Sequence, residues 1–387
     1  MMDAPDEKEV AVTMEFARHP HPSPIAEERR REILVSPGFG QHFTDHMVSI
    51  DWTRASGDAA AESSAPHSGG EWHDARLEPF GPLSLSPAAA VFHYAQEIFE
   101  GLKAYRHDDG SVWTFRPQAN AARLNRSARR LALPELPEEV FLEALRVLVS
   151  TDQSWVPDGD GQSLYLRPFM IATEEFLGVR PANEVGFKVI ASPAGNYFGG
   201  ELKPVSIWVS RELARAGHGG TGAAKFGGNY AASLAAQLEA SAHGCDQVLF
   251  LDPVRDNAVE ELGGMNVFFV FADGSLVTPE LTGTILEGVT RSSVLQLGRD
   301  RGLNVVERSI TVEEWRAGVA SGEITEVFAC GTAAVITPIG TLVDGEDSFM
   351  SPEIDPATSV ALDIRRELLD LQTGHGDDRH GWLHRLV

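Results

Sequence analysis

Lys225 lies in Thr221-Gly-Ala-Ala-Lys-Phe-Gly-Gly-Asn-Tyr230, a single amine flanked by glycines. Such an amine suits covalent capture of an aldehyde. It must shed its proton to react, and glycines let backbone and ligand approach closely while burial lowers the pKa. The competing reading is ordinary, since most lysines are solvated surface charges and a glycine cluster between periodic segments is usually a loop.

Three chemistries fit this loop. Gly217-His-Gly-Gly-Thr-Gly222 satisfies the GxGxxG pattern of a nicotinamide-dependent oxidoreductase. A helix-like stretch at 211–216 separates it from the preceding strand, so the tight strand-to-helix turn is missing. A phosphate loop needs glycine, lysine and Ser/Thr in succession, whereas Ala223 and Ala224 intervene here and Phe226 follows the lysine. The third chemistry is that of pyridoxal 5'-phosphate, which requires an amine, an anion cradle and an acid that keeps a pyridine nitrogen protonated. Glu261, in Val259-Glu-Glu-Leu-Gly-Gly-Met-Asn266, is a candidate acid. Glu287-Gly-Val-Thr290, before a helix-like run, and Thr332, in Cys330-Gly-Thr-Ala-Ala334 between two strands, offer hydroxyls and free backbone N–H groups for an anion. Spacing alone does not bring these pieces together.

The elements that must position them are mixed. Residues 43–52, 163–168, 187–191, Val205-Ser-Ile-Trp-Val-Ser210 and Gln247-Val-Leu-Phe-Leu-Asp252 read as strands. Residues 231–240 form an alanine-rich helix directly after the lysine loop. Val267-Phe-Phe-Val-Phe-Ala272 and Ser275-Leu-Val-Thr278, joined by Asp273-Gly274, carry a hairpin signal. The fold expected is α/β (α+β) in two domains. Residues 1–35, with His19-Pro-His-Pro-Ser-Pro24, read as a mobile or surface-lying extension, and the prolines and tail position argue against a metal site at the two histidines. A small domain over 36–198, a linker over 199–208 and a larger domain over 209–387 follow, with a floppy insertion at 54–70.

Composition narrows the class further. The 387 residues exceed one ordinary core, and 43% hydrophobic with 23% charged residues is a globular balance. Thirty-two basic against 56 acidic residues leave a net charge of -24, which repels nucleic acid and anionic lipid. Two widely spaced cysteines, Cys245 and Cys330, indicate neither a disulfide framework nor a zinc site, and a reducing cytoplasm fits. Neither a secretory signal nor an 18-residue apolar run appears.

Several motifs in order, Phe99-Glu-Gly-Leu-Lys-Ala-Tyr105, Phe115-Arg-Pro117, Ser163-Leu-Tyr-Leu-Arg-Pro168, Lys225-Phe-Gly-Gly-Asn-Tyr230, Glu261-Leu-Gly-Gly-Met-Asn266 and Gly331-Thr-Ala333, carry a resemblance. From about Phe43 to Val387 the sequence resembles a branched-chain amino acid aminotransferase of the fold-type IV pyridoxal phosphate family. The resemblance implies a homodimer whose cofactor lies between the two domains, and reversible amino transfer between L-leucine, L-isoleucine or L-valine and 2-oxoglutarate by a ping-pong route. A D-amino acid aminotransferase or an aminodeoxychorismate lyase of the same fold is the nearest alternative, and a non-catalytic acidic binding protein is the reading from outside enzymology.

The resemblance also implies roles. Lys225 would form the Schiff base and then carry the substrate proton, Glu261 would face the pyridine nitrogen, and Tyr230 would hydrogen-bond the 3' oxygen, although an aromatic there could equally be packing. Arg123, the backbone of Val289 and Thr290, and Thr332 would hold the phosphate, with Arg215 nearby. For Arg123 a surface salt bridge on a basic helix, and for Arg215 a solvated face, remain the ordinary alternatives. Thr332, Ala333, Tyr94 and Arg167 would take the substrate carboxylate. Phe99, Tyr165 and Tyr197 would form an aromatic wall, and Leu177 and Val179 a loop given by the partner subunit. Gly264 stands where some members place a threonine, the CxxC of mammalian members is replaced by Ala334-Val-Ile-Thr337, and Gly227-Gly228 read as room for the pyridoxal ring.

Overall fold

The computed structural model describes residues 14–55, 69–195 and 203–387. Tyr197, nearly all of the 54–70 insertion and the first part of the 199–208 linker lie outside the described residues.

Strands β1 (Ala17–Arg18), β2 (His46–Arg54), β3 (Gly70–Pro79), β4 (Glu97–Phe99), β5 (Leu102–Arg106), β6 (Val112–Phe115), β7 (Ser163–Ala172) and β8 (Glu184–Ala194) build the first sheet. Their order is β1-β3-β2-β8-β7-β5-β6, with β4 also on β7, and every pair but β1 with β3 is antiparallel. Helices α1 (Glu27–Val35), α2 (Ala90–Tyr94), α3 (Pro117–Arg130) and α4 (Glu138–Thr151) accompany it. In α4 the residues Val140, Phe141, Ala144, Leu145 and Leu148 recur at helical spacing and are all buried, while Glu139 on the opposite face stays in water. Full burial of Phe141 or Leu145 is worth about 1.5–3 kcal/mol each.

The second sheet holds β9 (Val205–Ser210), β10 (Gln247–Asp252), β11 (Ala258–Leu262), β12 (Asn266–Phe271), β13 (Ser275–Thr278), β14 (Asn304–Glu307), β15 (Ile324–Gly331), β16 (Val335–Asp344) and β17 (Asp347–Met350). It runs β11-β10-β9-β16-β15-β12-β13-β14, with β17 beside β16. The Asp273-Gly274 turn closes the antiparallel β12–β13 hairpin, with Gly274 at φ +85°. Helices α5 (Gly227–Ala242), α6 (Val289–Asp300), α7 (Val312–Ser321) and α8 (Val360–Thr373) complete this half. The last strand, β18 (Leu383–Arg385), returns to β6 of the first sheet.

Of the two readings offered for the N-terminal extension, the surface-lying one describes residues 14–35, most of which are exposed, and one other expectation gives way. From residue 14 onward the N-terminal segment is docked: β1 pairs with β3, and Phe16 and Ile33 are buried. The His21 amide donates to His46 Nε2 at 2.9 Å, the Ile25 amide donates to Asp45 Oδ1 at 2.7 Å, and His46 Nδ1 lies 2.7 Å from Asp152. These partners are distant in sequence, so no local pattern announces them. Residues 211–216 are irregular rather than helical, because Arg211 reaches Asp344 at 2.7 Å and Arg215 reaches Glu261.

Candidate active site

Lys225 stands on an irregular segment between β9 and α5, and residues of the first half hold it. Its amide donates to Ser127 Oγ of α3 at 2.9 Å, and its carbonyl accepts the Phe99 amide of β4 at 3.0 Å. The amine Nζ donates to the Tyr230 hydroxyl at 2.9 Å and lies 4.8 Å from the Phe99 ring centre. Tyr230 sits five residues on, in the first turn of α5, so lysine and phenol face one another across the helix start.

An anion cradle faces this amine. Arg123, buried on α3, donates Nε and NH2 to the two oxygens of Glu100 at 2.8 Å each, and NH1 to the Glu287 carbonyl at 3.1 Å. Burial alone would raise the Glu100 carboxyl; the guanidinium of Arg123 overcomes it, with Lys225 and Asn120 adding, and holds the group below its ordinary range. Next to Glu287 begins α6, whose first amides, from Val289 and Thr290, have no acceptor within the helix. Gly288 admits this approach, since a Cβ there would meet Asn266 Oδ1 at 2.2 Å.

Glu261, on β11, is sealed from solvent. Arg215 donates to its Oε1, as does the Leu286 amide at 2.9 Å, and Asn266 Nδ2 lies 3.4 Å from Oε2. Burial lifts its carboxyl above the ordinary range, outweighing the Arg215 charge and the Leu286 amide. Arg215 also donates to the carbonyls of Gly222 and Thr284 at 3.0 and 3.3 Å. It is therefore buried beside Glu261, which overturns the solvated-face alternative for it.

Thr332 and Ala333 occupy the tight turn from β15 to β16. Lys103 Nζ clamps this turn by donating to the Ala333 carbonyl at 2.9 Å, and Val335 completes it at φ +61°, a costly conformation for a β-branched residue. Opposite them the Arg167 guanidinium lies 4.7 Å from the Phe99 ring centre and donates to the Tyr165 hydroxyl at 3.0 Å. Together Lys225, Arg123, Glu261, Tyr230, Val289, Thr290, Thr332, Ala333, Phe99, Tyr165 and Arg167 line one cavity of about 210 Å³.

Other expected residues are elsewhere. Tyr94 donates to the Leu177 carbonyl, outside the cavity wall, and Leu177 and Val179 are 66% and 90% exposed, so this chain alone does not bring them to Lys225. Tyr197 lies outside the described residues. Gly227 and Gly228 make room for protein atoms rather than a ring: a Cβ would meet Glu97 Oε1 or the Phe226 ring at 2.2 Å. The stretch 217–222 opens no helix, and Gly222 is packed so that a Cβ would lie 2.3 Å from the Thr284 carbonyl oxygen. Sequence reasoning did not single out Glu100, Phe39, Asn266 or Ser127. Glu100 could have been noticed as the one acid in the motif Phe99–Tyr105; the others carry no distinctive signal.

This cavity joins an amine, a sealed carboxylate and an anion cradle, the requirements of amino transfer on a carbonyl cofactor. Residues 97–342 match the model of the family "Amino-transferase class IV". The chain belongs to that family and is an enzyme of it. More particularly, it is 54% identical over 377 residues to the branched-chain-amino-acid aminotransferase of Mycolicibacterium smegmatis, covering 96% of this chain and 98% of the relative. It is 55% identical over 369 residues to a probable branched-chain-amino-acid aminotransferase of Streptomyces coelicolor, covering 95% and 98%. The fold is shared with the branched-chain amino acid aminotransferase of Escherichia coli, at TM-score 0.69 and 28% identity over 80% of this chain and 97% of the other. Another solved branched-chain amino acid aminotransferase, crystallised with pyridoxamine 5'-phosphate, aligns at TM-score 0.67 and 30% identity over 80% and 96%.

Proposed function

We propose that this enzyme transfers the amino group reversibly between L-leucine, L-isoleucine or L-valine and 2-oxoglutarate, in two half-reactions, with pyridoxal 5'-phosphate as cofactor. The observation that carries the reading is the Lys225 amine facing Tyr230, Glu261 and the Arg123 cradle across one cavity. The names of the relatives favour it over the D-amino acid and lyase alternatives.

The residues present fit the cofactor. The guanidinium of Arg123, the first amides of α6 and the Thr332 hydroxyl form an anion-binding set for the phosphate. Glu261 is a buried acid suited to a pyridine nitrogen, and Tyr230 to the ring oxygen. When bound, the cofactor supplies an aldehyde that condenses with amines and a ring that accepts the electrons of the substrate Cα–H bond. Lys225 Nζ takes the proton from the substrate Cα, and Tyr230, 2.9 Å away, orients that amine. Arg215 draws the Glu261 carboxyl back toward its charged form, although burial outweighs it. Arg167 and the turn of Thr332 and Ala333 receive the carboxylates, and Phe99 with Tyr165 gives the apolar wall. Among the described residues Arg167 Nε is buried without a hydrogen-bond partner, as expected of a group awaiting an anion.

A second copy of the chain supports the remaining substrate contacts in this reading. Phe92, Leu177 and Val179, all strongly exposed near Tyr94, give it an apolar surface to cover. We place the homodimer in the cytoplasm, where the free, buried Cys245 and Cys330 are at home. We read a small domain over 36–198 and a large domain over 209–387, although β1 and β18 join the first sheet from outside the first range and β9 starts at Val205. Incubating the protein with L-leucine and 2-oxoglutarate should yield glutamate, whereas D-alanine and aminodeoxychorismate should remain unchanged. Consumption of either in place of L-leucine would overturn the reading.

A further inference from the structure

The segment that carries Lys225 has no regular structure from residue 211 to 226, so something else must fix the amine. Strand β4 supplies two clips, one on each side of Phe226. The Phe99 amide donates to the Lys225 carbonyl at 3.0 Å, and Glu97 Oε1, two residues earlier on the same strand, accepts the Gly227 amide at 2.5 Å. Gly227 opens α5, whose N-cap residue Phe226 makes no side-chain cap. Glu97 therefore takes the place of the missing cap and sets a carboxylate at the positive end of a 16-residue helix.

We propose that Glu97 is a positioning residue for Lys225, fixing the amine by anchoring the start of α5 to the strand that also holds Phe99. The inference rests on the aminotransferase reading above. Its geometry is specific: any side chain at residue 227 would put a Cβ 2.2 Å from Glu97 Oε1, so Gly227 is the partner that lets the carboxylate reach the amide. The backbone of Glu97 is itself held, paired with Ile171 of β7, and α2 ends just before it with Ala95 at φ +47°. Burial raises the Glu97 carboxyl above its ordinary range, while the Gly227 amide and the Arg167 guanidinium draw it back. The clip is thus a desolvated, charge-assisted hydrogen bond, stronger than an exposed one. Because Phe99 stays paired with β7, release of Glu97 would let the lysine drift from Tyr230, the link of Glu97 to the substrate pocket being the charge it offers Arg167.

The test is a set of three variants of the full-length holoenzyme. Glu97→Ala should lower kcat about tenfold, as loss of one hydrogen bond to a charged group would, with KM for L-leucine within about twofold. Amide hydrogen exchange in residues 226–230 should quicken about tenfold in the same variant. Glu97→Gln keeps an acceptor at Oε1 and should restore both readouts to within about threefold. Should the alanine variant not fold, Glu97→Asp withdraws the carboxylate by one methylene, and the same loss of kcat at unchanged KM is expected. Normal kcat and normal exchange in the alanine or aspartate variant would overturn the proposal, as would a glutamine variant no better than alanine. A loss of thermal stability with unchanged exchange at 226–230 would also overturn it, since it would mark a merely structural role. Wild-type protein that transfers no amino group sinks the functional reading itself, whereas active wild type with normal Glu97 variants sinks this inference alone.

Discussion

Glu100 and Arg123 meet through two parallel hydrogen bonds of 2.8 Å, Nε to Oε1 and NH2 to Oε2, and both side chains are closed off from solvent. Asn120 adds a third donor to Glu100 at 2.7 Å, so the carboxylate is fully engaged and the arginine is fixed as a planar fork. Its remaining NH1 points to the Glu287 carbonyl, at the entry to α6. Arg123→Ala removes the cation of the cradle and leaves Glu100 buried without its charge partner, which costs about 3–5 kcal/mol. The variant should melt lower and release pyridoxal phosphate more readily. Unchanged cofactor affinity in an absorbance titration would sink the phosphate role of Arg123.

The same pair gives a pH signature. Arg123 holds the Glu100 carboxyl below its ordinary value against the opposing effect of burial, so the folded pKa lies below the unfolded one. Such a group adds stability above the unfolded pKa, and that stability is lost as pH falls through the folded pKa. Glu100→Gln should therefore be destabilised most near neutrality, and the gap to wild type should close on the acid side of about pH 4.3. Melting temperatures of both proteins from pH 3 to 7 check this, and a constant gap would contradict it.

Lys225 and Tyr230 should separate cleanly by mutation. Lys225→Ala removes the proton carrier and should lower turnover about a thousandfold or more. Tyr230→Phe keeps the ring against Phe99, at a centroid distance of 5.0 Å, but deletes the hydroxyl that accepts from Nζ. One lost hydrogen bond corresponds to about a tenfold fall in kcat. Steady-state rates with L-leucine decide; equal losses in the two variants would show that Tyr230 acts in some other way.

How much of this was legible in the sequence depends on the range of the interaction. The β12–β13 hairpin was readable because Asp273-Gly274 is a local signal, and β9 and β10 because their apolar runs are short and continuous. Arg123, Glu261 and Thr332 were found through motif order, although nothing local says that α3, β11 and the β15–β16 turn converge. The burial of Arg215 was not legible because it depends on Glu261, 46 residues away. The glycines after Lys225 were read as space for a ligand, yet space beside a glycine belongs to whichever neighbour arrives first, and here that is Glu97 and Phe226. Docking of residues 14–35 rests on burial of Phe16 and Ile33 and on amide hydrogen bonds from His21 and Ile25 to His46 and Asp45, which leave no periodic trace.

Lys103 offers a test of how firmly the Thr332 and Ala333 turn is held. Burial, with Arg365 adding, pushes its amine down to about 8, and Nζ donates to the Ala333 carbonyl at 2.9 Å. A lysine whose folded pKa lies below the unfolded value of about 10.4 has already released a proton that the unfolded chain still binds. Its contribution to stability therefore rises with pH between about 8 and 10.4, and below that window the buried charge is a constant penalty. Lys103→Met should abolish this alkaline rise, so the change in Tm from pH 8 to pH 10 should be smaller in the variant than in wild type. The same substitution leaves the Ala333 carbonyl without its donor, beside the strained Val335. If Ala333 receives the substrate carboxylate, KM for L-leucine should rise about tenfold, the weight of one hydrogen bond, while kcat changes less. An unaltered KM together with the wild-type pH response would show that Lys103 neither holds the turn nor carries the buried charge.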